Sequence, residues 1–236
     1  SALLKVFPFV TAPALVRHQR FWPHLIVALC GLVLLTLPYF FFHPSDWQTF
    51  RGTNFSSTSG LDPAGNYGVV YLLYLLAKDL RGPSVVGFWQ LFYPIFQIGL
   101  LTLTSLLVLF SRDDRVAFGV VTMLLAHFLT YVHVWEHHAS GMVAALLLLL
   151  TVEYEERWLR AVIICALVLL ALPTPFVLFN PPHEPLAWAP AWPHYADYLN
   201  LLPKVLPVLA LYPLCVFKLW KAGFAWPRIR MRDERA

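Results

Sequence analysis

The chain has 236 residues, 59% of them hydrophobic and only 13% charged, with a formal net charge of +4. Soluble domains carry roughly 25% charged residues, so this composition and a mean hydropathy of +0.64 exclude an ordinary soluble globule. Cys30, Cys165 and Cys215 lie in apolar runs without motif spacing, which leaves no metal or redox signature to read.

Residues 2–16 read as the remainder of a membrane span. No basic stretch and small-residue cleavage site mark a signal peptide, so the expectation is a start inside a larger membrane protein. Residues 21–42, 84–110 and 116–134 are runs without Asp, Glu, Lys or Arg, and residues 159–180 carry only Arg160 at their start. They come close to or exceed the ~20 residues a helix needs to cross a bilayer. Residues 198–220 are interrupted only by Lys204 and Lys218, and residues 139–152 form a shorter apolar run.

Between the first two full spans, "HPSDWQTFRGTNFSSTSGLDPAG" is rich in Gly, Ser, Thr and Pro and reads as loop. "NYGVVYLLYLLAKDL" then runs helical until "RGP" stops it, which predicts a helix over residues 65–80. About four turns cannot span ~30 Å, so this helix is expected to lie along the interface or re-enter. The expected fold is all-α: one polytopic transmembrane helical bundle over residues 1–236. It has about seven membrane helices, including a truncated first one, plus the short interfacial or re-entrant helix.

Arg17 and Arg20, Arg112 and Arg115, Arg157 and Arg160, and the tail from Lys218 to Arg235 hold 12 of the 17 Lys+Arg residues. Threading the spans puts all four groups on one side, which the positive-inside rule makes cytoplasmic. The positive charge then faces anionic lipid, and nucleic acid is not an expected partner. Residues 43–82, the "HVWEHH" turn and residues 181–197 fall on the other side. In the last of these, Trp188, Trp192 and Tyr195 suit either an interfacial aromatic belt or stacking on sugar faces.

The stretch "TYVHVWEHHASGM" gathers three histidines, Trp135 and Glu136 between apolar runs. His138 lies fifteen residues before Glu153, or about 22 Å along a regular helix, short of the ~30 Å hydrocarbon thickness. The histidines are therefore expected below the outer lipid surface, a depth at which ionisable groups face cavities and carry function. A metal site is one reading, since His133 and His137 share a helix face, but two imidazoles do not close a site. A haem site would need a second histidine at the depth of His127, and the apolar spans offer none. Interfacial residues with satisfied hydrogen bonds are a third reading. An anion site is the fourth: imidazole N–H donors can hold a phosphate and stabilise it as a leaving group.

At these residues a resemblance emerges. "VHVWEHHASGMVAALLLLL" resembles the Trp-x-His-His segment that opens an outer-facing helix in glycosyltransferase family 87 (DUF2029). This family comprises GT-C-type membrane mannosyltransferases and their relatives. "LLKVFPFVTAPALVRHQRFW" resembles its Lys-aromatic-Pro span ending in an arginine cluster. "GNYGVVYLLYLLAKDL" is similar to its Gly-Asn-Gln-Ser-Leu segment, with Tyr67 and Gly68 in place of Gln-Ser.

The resemblance implies transfer of a hexose, mannose in the family, from a polyprenyl-phosphate donor to a glycan or glycolipid hydroxyl. The reaction would face the periplasmic side of a bacterial plasma membrane, without a cofactor or metal. It also implies that the catalytic aspartate belongs to an upstream outer loop that this chain lacks. His137 and His138 would then hold the departing phosphate, and Lys5, costly inside an apolar span, would serve the same anion. Asn66, Trp135 and Glu136 complete the substrate-binding candidates. Arg51 and Lys204 join them, with a snorkelling or solvated cation as the other reading for both. A second function class stays open, a non-enzymatic transporter or scaffold subunit. The transporter version would expect matched broken helices, and the Pro-rich span with Pro203, Pro207 and Pro213 has no such partner.

Overall fold

The computed structural model describes residues 10–16, 21–55, 68–82, 85–112, 115–131, 134, 136–152, 156–172 and 194–225, at some helical positions by backbone alone. Among them there is no strand beyond an isolated bridge between Ser111 and Phe224; the chain is all-α. The helices are α1 (Ala12–Leu15), α2 (Phe21–Phe42), α3 (Pro44–Phe55), α4 (Val69–Arg81), α5 (Val85–Phe110), α6 (Val116–Thr130), α7 (Glu136–Val152), α8 (Arg157–Ala171) and α9 (His194–Lys221).

The bundle is built around α6, which packs against α1, α4, α5, α7 and α9. Its sequence is apolar all round, and a helix of that kind must be covered on every side. Phe118, Val121, Leu125 and Ala126 are accordingly sealed from solvent. The neighbours turn one stripe inward. On α7 the buried residues are Met142, Ala145, Leu146 and Leu149, at the i, i+3, i+4, i+7 spacing of one helix face. On α8 they are Leu159, Ile163, Ala166 and Leu170.

The outward stripes are also apolar, which a water-facing bundle would not show. On α5, Leu91, Ile95, Ile98 and Leu103 are exposed, Leu91 to 71%, while Thr104 and Ser111 are buried. The Thr104 and Tyr212 hydroxyls hydrogen-bond at 2.7 Å, and Ser111 Oγ donates to the Leu219 carbonyl at 3.1 Å. Hydroxyls inside and aliphatics outside suit packing between helices in lipid. Gly87–Phe110 and Leu201–Lys221 are long and apolar enough to cross a membrane, with shorter apolar helices at Val116–Thr130 and His138–Thr151. These features point to membrane association.

The helix ends sort into two groups. At one end, Arg112 N donates to the Gly223 carbonyl at 2.8 Å, and Arg112 Nε to Phe224 at 3.1 Å. Gly223 takes a φ of 80° that only glycine adopts freely, which turns the chain back onto α5 after α9. Lys218 meets Glu156 at 3.4 Å, bringing the start of α8 to this end. Ala14 of α1 lies against Val108 and Gly119, close to it as well. Arg112, Arg115, Arg157, Arg160, Lys218 and Lys221 therefore share one end of the bundle, as the threading of the spans predicts. The opposite end carries the junction of α6 with α7, the end of α8 and the starts of α5 and α9.

Two expectations need correction. The stretch expected as loop after residue 43 is helical over Pro44–Phe55. Proline is pre-shaped for the first turn of a helix and Asp46 favours its positive end. The Gly, Ser and Thr residues that suggested a loop are concentrated beyond it. Asp46 also accepts a hydrogen bond from the Tyr39 hydroxyl, and Trp47 packs edge-on against Phe40, folding α3 against α2. The run expected as a span to residue 134 leaves the helix at Tyr131, whose extended backbone ends α6 four residues earlier. The short helix α4, expected to lie along the interface or re-enter, is docked into the bundle. Val69, Val70, Tyr71 and Leu72 are buried, and the helix packs against α5, α6 and α9. Its end at Gly82, with φ of 68°, matches the stop read from "RGP".

Candidate functional site

The extended backbone at Tyr131 lets the chain leave α6, and α7 starts again at Glu136. His137 and His138 thus occupy the opening turn of a 17-residue helix. That turn has backbone N–H groups without intrahelical acceptors and the positive end of the helix dipole, both favourable to an anion. The α7 helix is continuous to Val152, so the regular rise assumed for the depth of His138 holds.

The His138 ring is half-buried and meets the Tyr131 ring edge-on, with centroids 5.8 Å apart. Tyr131 in turn stacks on His127 at 4.8 Å. His127 is buried one turn inside α6. Two imidazoles from different helices are thereby linked through one phenol ring. Around the end of α6, the Tyr93 hydroxyl donates to the Thr130 carbonyl at 2.9 Å, and Gln97 Nε2 to the same oxygen at 3.4 Å. Thr130 closes its own turn by donating to Ala126 at 3.0 Å.

Lys204 is neither snorkelling nor solvated. It is 5% exposed, and its Nζ donates to the carbonyls of Leu170 at 2.6 Å and Leu172 at 2.7 Å. Those are the last carbonyls of α8, at the negative end of its dipole, where an ammonium is favoured. An apolar span would make the charge costly without such partners, which corrects the sequence reading of this cation. Lys204 and the Tyr131–His138 pair lie at the same end of the bundle, on different helix seams.

The remaining candidates are placed less fully. Arg51 sits in α3, and Glu136 and His137 open α7, each described by backbone alone. Lys5, Asn66 and Trp135 lie outside the described residues. Sequence reasoning weighed His127 only as a haem ligand and did not single out Tyr131, Tyr93 or Trp89. Tyr131 stands inside the quoted histidine stretch, but its contact with His127 and His138 depends on α6 ending there. Among the described residues, no three of His, Cys, Asp and Glu gather as a metal site. No protein-family model, curated protein or solved structure matches the chain.

Proposed function

We propose that the chain is the membrane portion of a polyprenyl-phosphate-dependent glycosyltransferase of GT-C type. It moves a hexose, mannose by resemblance, to a glycan or glycolipid hydroxyl on the non-cytoplasmic side. In this reading α2 and α5 to α9 are spans, α1 belongs to a further one, and α4 re-enters. The basic end faces the cytoplasm and the histidine end faces outward.

The observation that carries this reading is the position of His138. It opens α7 half-buried, about 21 Å of helix from the basic end, at a level where a lipid phosphate can meet both imidazole and helix N–H donors. Chemically, the acceptor hydroxyl attacks the anomeric carbon and the bond from that carbon to the phosphate oxygen breaks. The electron pair leaves on polyprenyl phosphate, and the hydroxyl proton passes to a general base, the aspartate implied by the family pattern. His137 and His138 act on the charge that develops on the departing phosphate.

A scaffold role is the second reading, favoured by Lys204, whose ammonium is spent on closing a helix. The purified complete protein, given a radiolabelled polyprenyl-phosphate hexose and a glycolipid acceptor, separates the two. Release of polyprenyl phosphate coupled to acceptor labelling supports the enzyme. An intact donor after many hours, with matched sugar and acceptor panels, rejects it.

A further inference from the structure

We infer that Tyr131 is a positioning residue that sets the plane of the His138 imidazole. Its kinetic consequence rests on the phosphate-holding role proposed for His138; the orientation itself rests on ring geometry. An imidazole turns about a broad, roughly two-fold side-chain torsion, so its own torsion does not hold the half-buried His138 ring in one plane. An N–H donor that must face a developing charge needs such a plane. Tyr131 supplies it. Its ring meets the His138 ring edge-on, with centroids 5.8 Å apart and planes at 78°, an arrangement that aromatic quadrupoles favour. The His127 ring stacks on Tyr131 with centroids 4.8 Å apart and planes at 26°, from a buried position one turn inside α6. Stacked on a buried ring, the phenol is itself held.

The backbone of Tyr131 is fixed as well. Its N–H donates to the His127 carbonyl at 2.8 Å, and its extended conformation (φ −82°, ψ 130°) ends α6 there. The adjacent Thr130 carbonyl is among the last of that helix, which have no intrahelical donor. Two side chains of α5 donate to it, the Tyr93 hydroxyl at 2.9 Å and Gln97 Nε2 at 3.4 Å. Tyr93 in turn stacks on Trp89, with centroids 6.4 Å apart and planes at 18°. Both share a buried cluster with Val70 of α4. Through Tyr131, the plane of His138 is thus tied to the packed junction of α4, α5 and α6.

The test compares variants that remove the ring but keep apolar bulk, Tyr131→Leu and Tyr131→Met, with Tyr131→Phe, which keeps the ring. The full chain is studied by NMR in micelles with isotope-labelled histidines, and the His138 ring signal is assigned by its loss in His138→Ala. Tyr131→Leu and Tyr131→Met should move that signal toward a free imidazole, through loss of the ring-current shift from Tyr131. Tyr131→Phe should leave it in place. In turnover of a polyprenyl-phosphate hexose by the complete protein, Tyr131→Leu should lower kcat by up to about 10-fold with KM unchanged, the scale of one aromatic pair contact. Tyr131→Phe should keep the wild-type kcat. In a His138→Ala background, Tyr131→Leu should have no further effect, because Tyr131 acts through that ring. The inference is overturned if the His138 signal ignores both Tyr131→Leu and Tyr131→Met, or if Tyr131→Phe loses as much kcat as Tyr131→Leu. An equal loss of kcat from Tyr131→Leu with and without His138 also overturns it, since a merely structural role gives that result. If His138→Ala alone turns over as wild type, the phosphate-holding reading fails, and the His138 signal still decides whether Tyr131 orients the ring.

Discussion

Lys204, from the middle of α9, closes the end of α8 on the carbonyl of Leu170 at 2.6 Å. The bond joins residues 34 apart in sequence and fixes the α8–α9 seam at the histidine end. It also gives a buried ammonium the partners that an apolar environment demands.

Replacing this side chain with an isosteric apolar one should therefore destabilise the bundle. Lys204→Met leaves the Leu170 and Leu172 carbonyls without their ammonium donor, at a cost of roughly 2–3 kcal/mol. Lys204→Gln should recover part of that, because its amide can still donate. Unfolding in mixed micelles by a titrated denaturing detergent measures both. If Lys204→Met unfolds as wild type but no longer binds dodecyl phosphate, the ammonium serves an anion and not the helix end.

A second contact holds α4 in place: the Tyr198 hydroxyl of α9 donates to the Asp79 carboxylate. Both residues are accessible, so the bond contributes modestly to global stability, at about 1 kcal/mol. Its local effect should be larger. Tyr198→Phe is expected to speed hydrogen exchange in Val69–Arg81 several-fold, leaving α6 protected. Unchanged exchange in α4 would show that burial of Val69–Leu72 alone fixes the helix.

Close packing near the basic end gives a third expectation. A Cβ added at Gly119 would lie 3.0 Å from the Ala14 Cβ and 3.1 Å from Val108 Cγ1. Neither neighbour is the far end of a flexible chain, so α1 must move away. Gly119→Leu should cost roughly 1–3 kcal/mol by overpacking, despite the gain in helix propensity of about 1 kcal/mol. A variant as stable as wild type by the same unfolding assay would mean that α1 is not held firmly against α6.

The two-ended arrangement of charge predicts a labelling pattern. In a background with Cys30, Cys165 and Cys215 replaced, Asp79→Cys and Lys221→Cys should react with an impermeant thiol reagent from opposite sides of sealed vesicles. Reaction of both from one side would contradict the orientation drawn from the arginines.

The sequence made some of this architecture readable. The long apolar runs locate α5 and α9 within a few residues, and the Gly82 stop and the common basic end follow from local composition. The α3 helix is hidden because the Gly, Ser and Thr residues of its segment, most of them just beyond it, read as loop, although Pro44 and Asp46 mark a helix start. The role of Lys204 could not be read either, because its partners are backbone carbonyls of a different helix and any sequence supplies those. For the same reason the candidate site was only half legible. The histidine run is visible as an anomaly of composition, whereas Tyr131 and Trp89 acquire meaning only once α6 ends and α4 docks.

The central claim is that the opening turn of α7 stabilises a departing lipid phosphate. Its most direct test is turnover of a polyprenyl-phosphate hexose by the complete protein, comparing wild type with His137→Ala/His138→Ala. The expected loss in kcat is about two orders of magnitude or more, the scale of removing an oxyanion donor. Unfolding should be unchanged, because the His138 ring is only half-buried. A double variant that is equally stable and transfers sugar at the wild-type rate would contradict the claim.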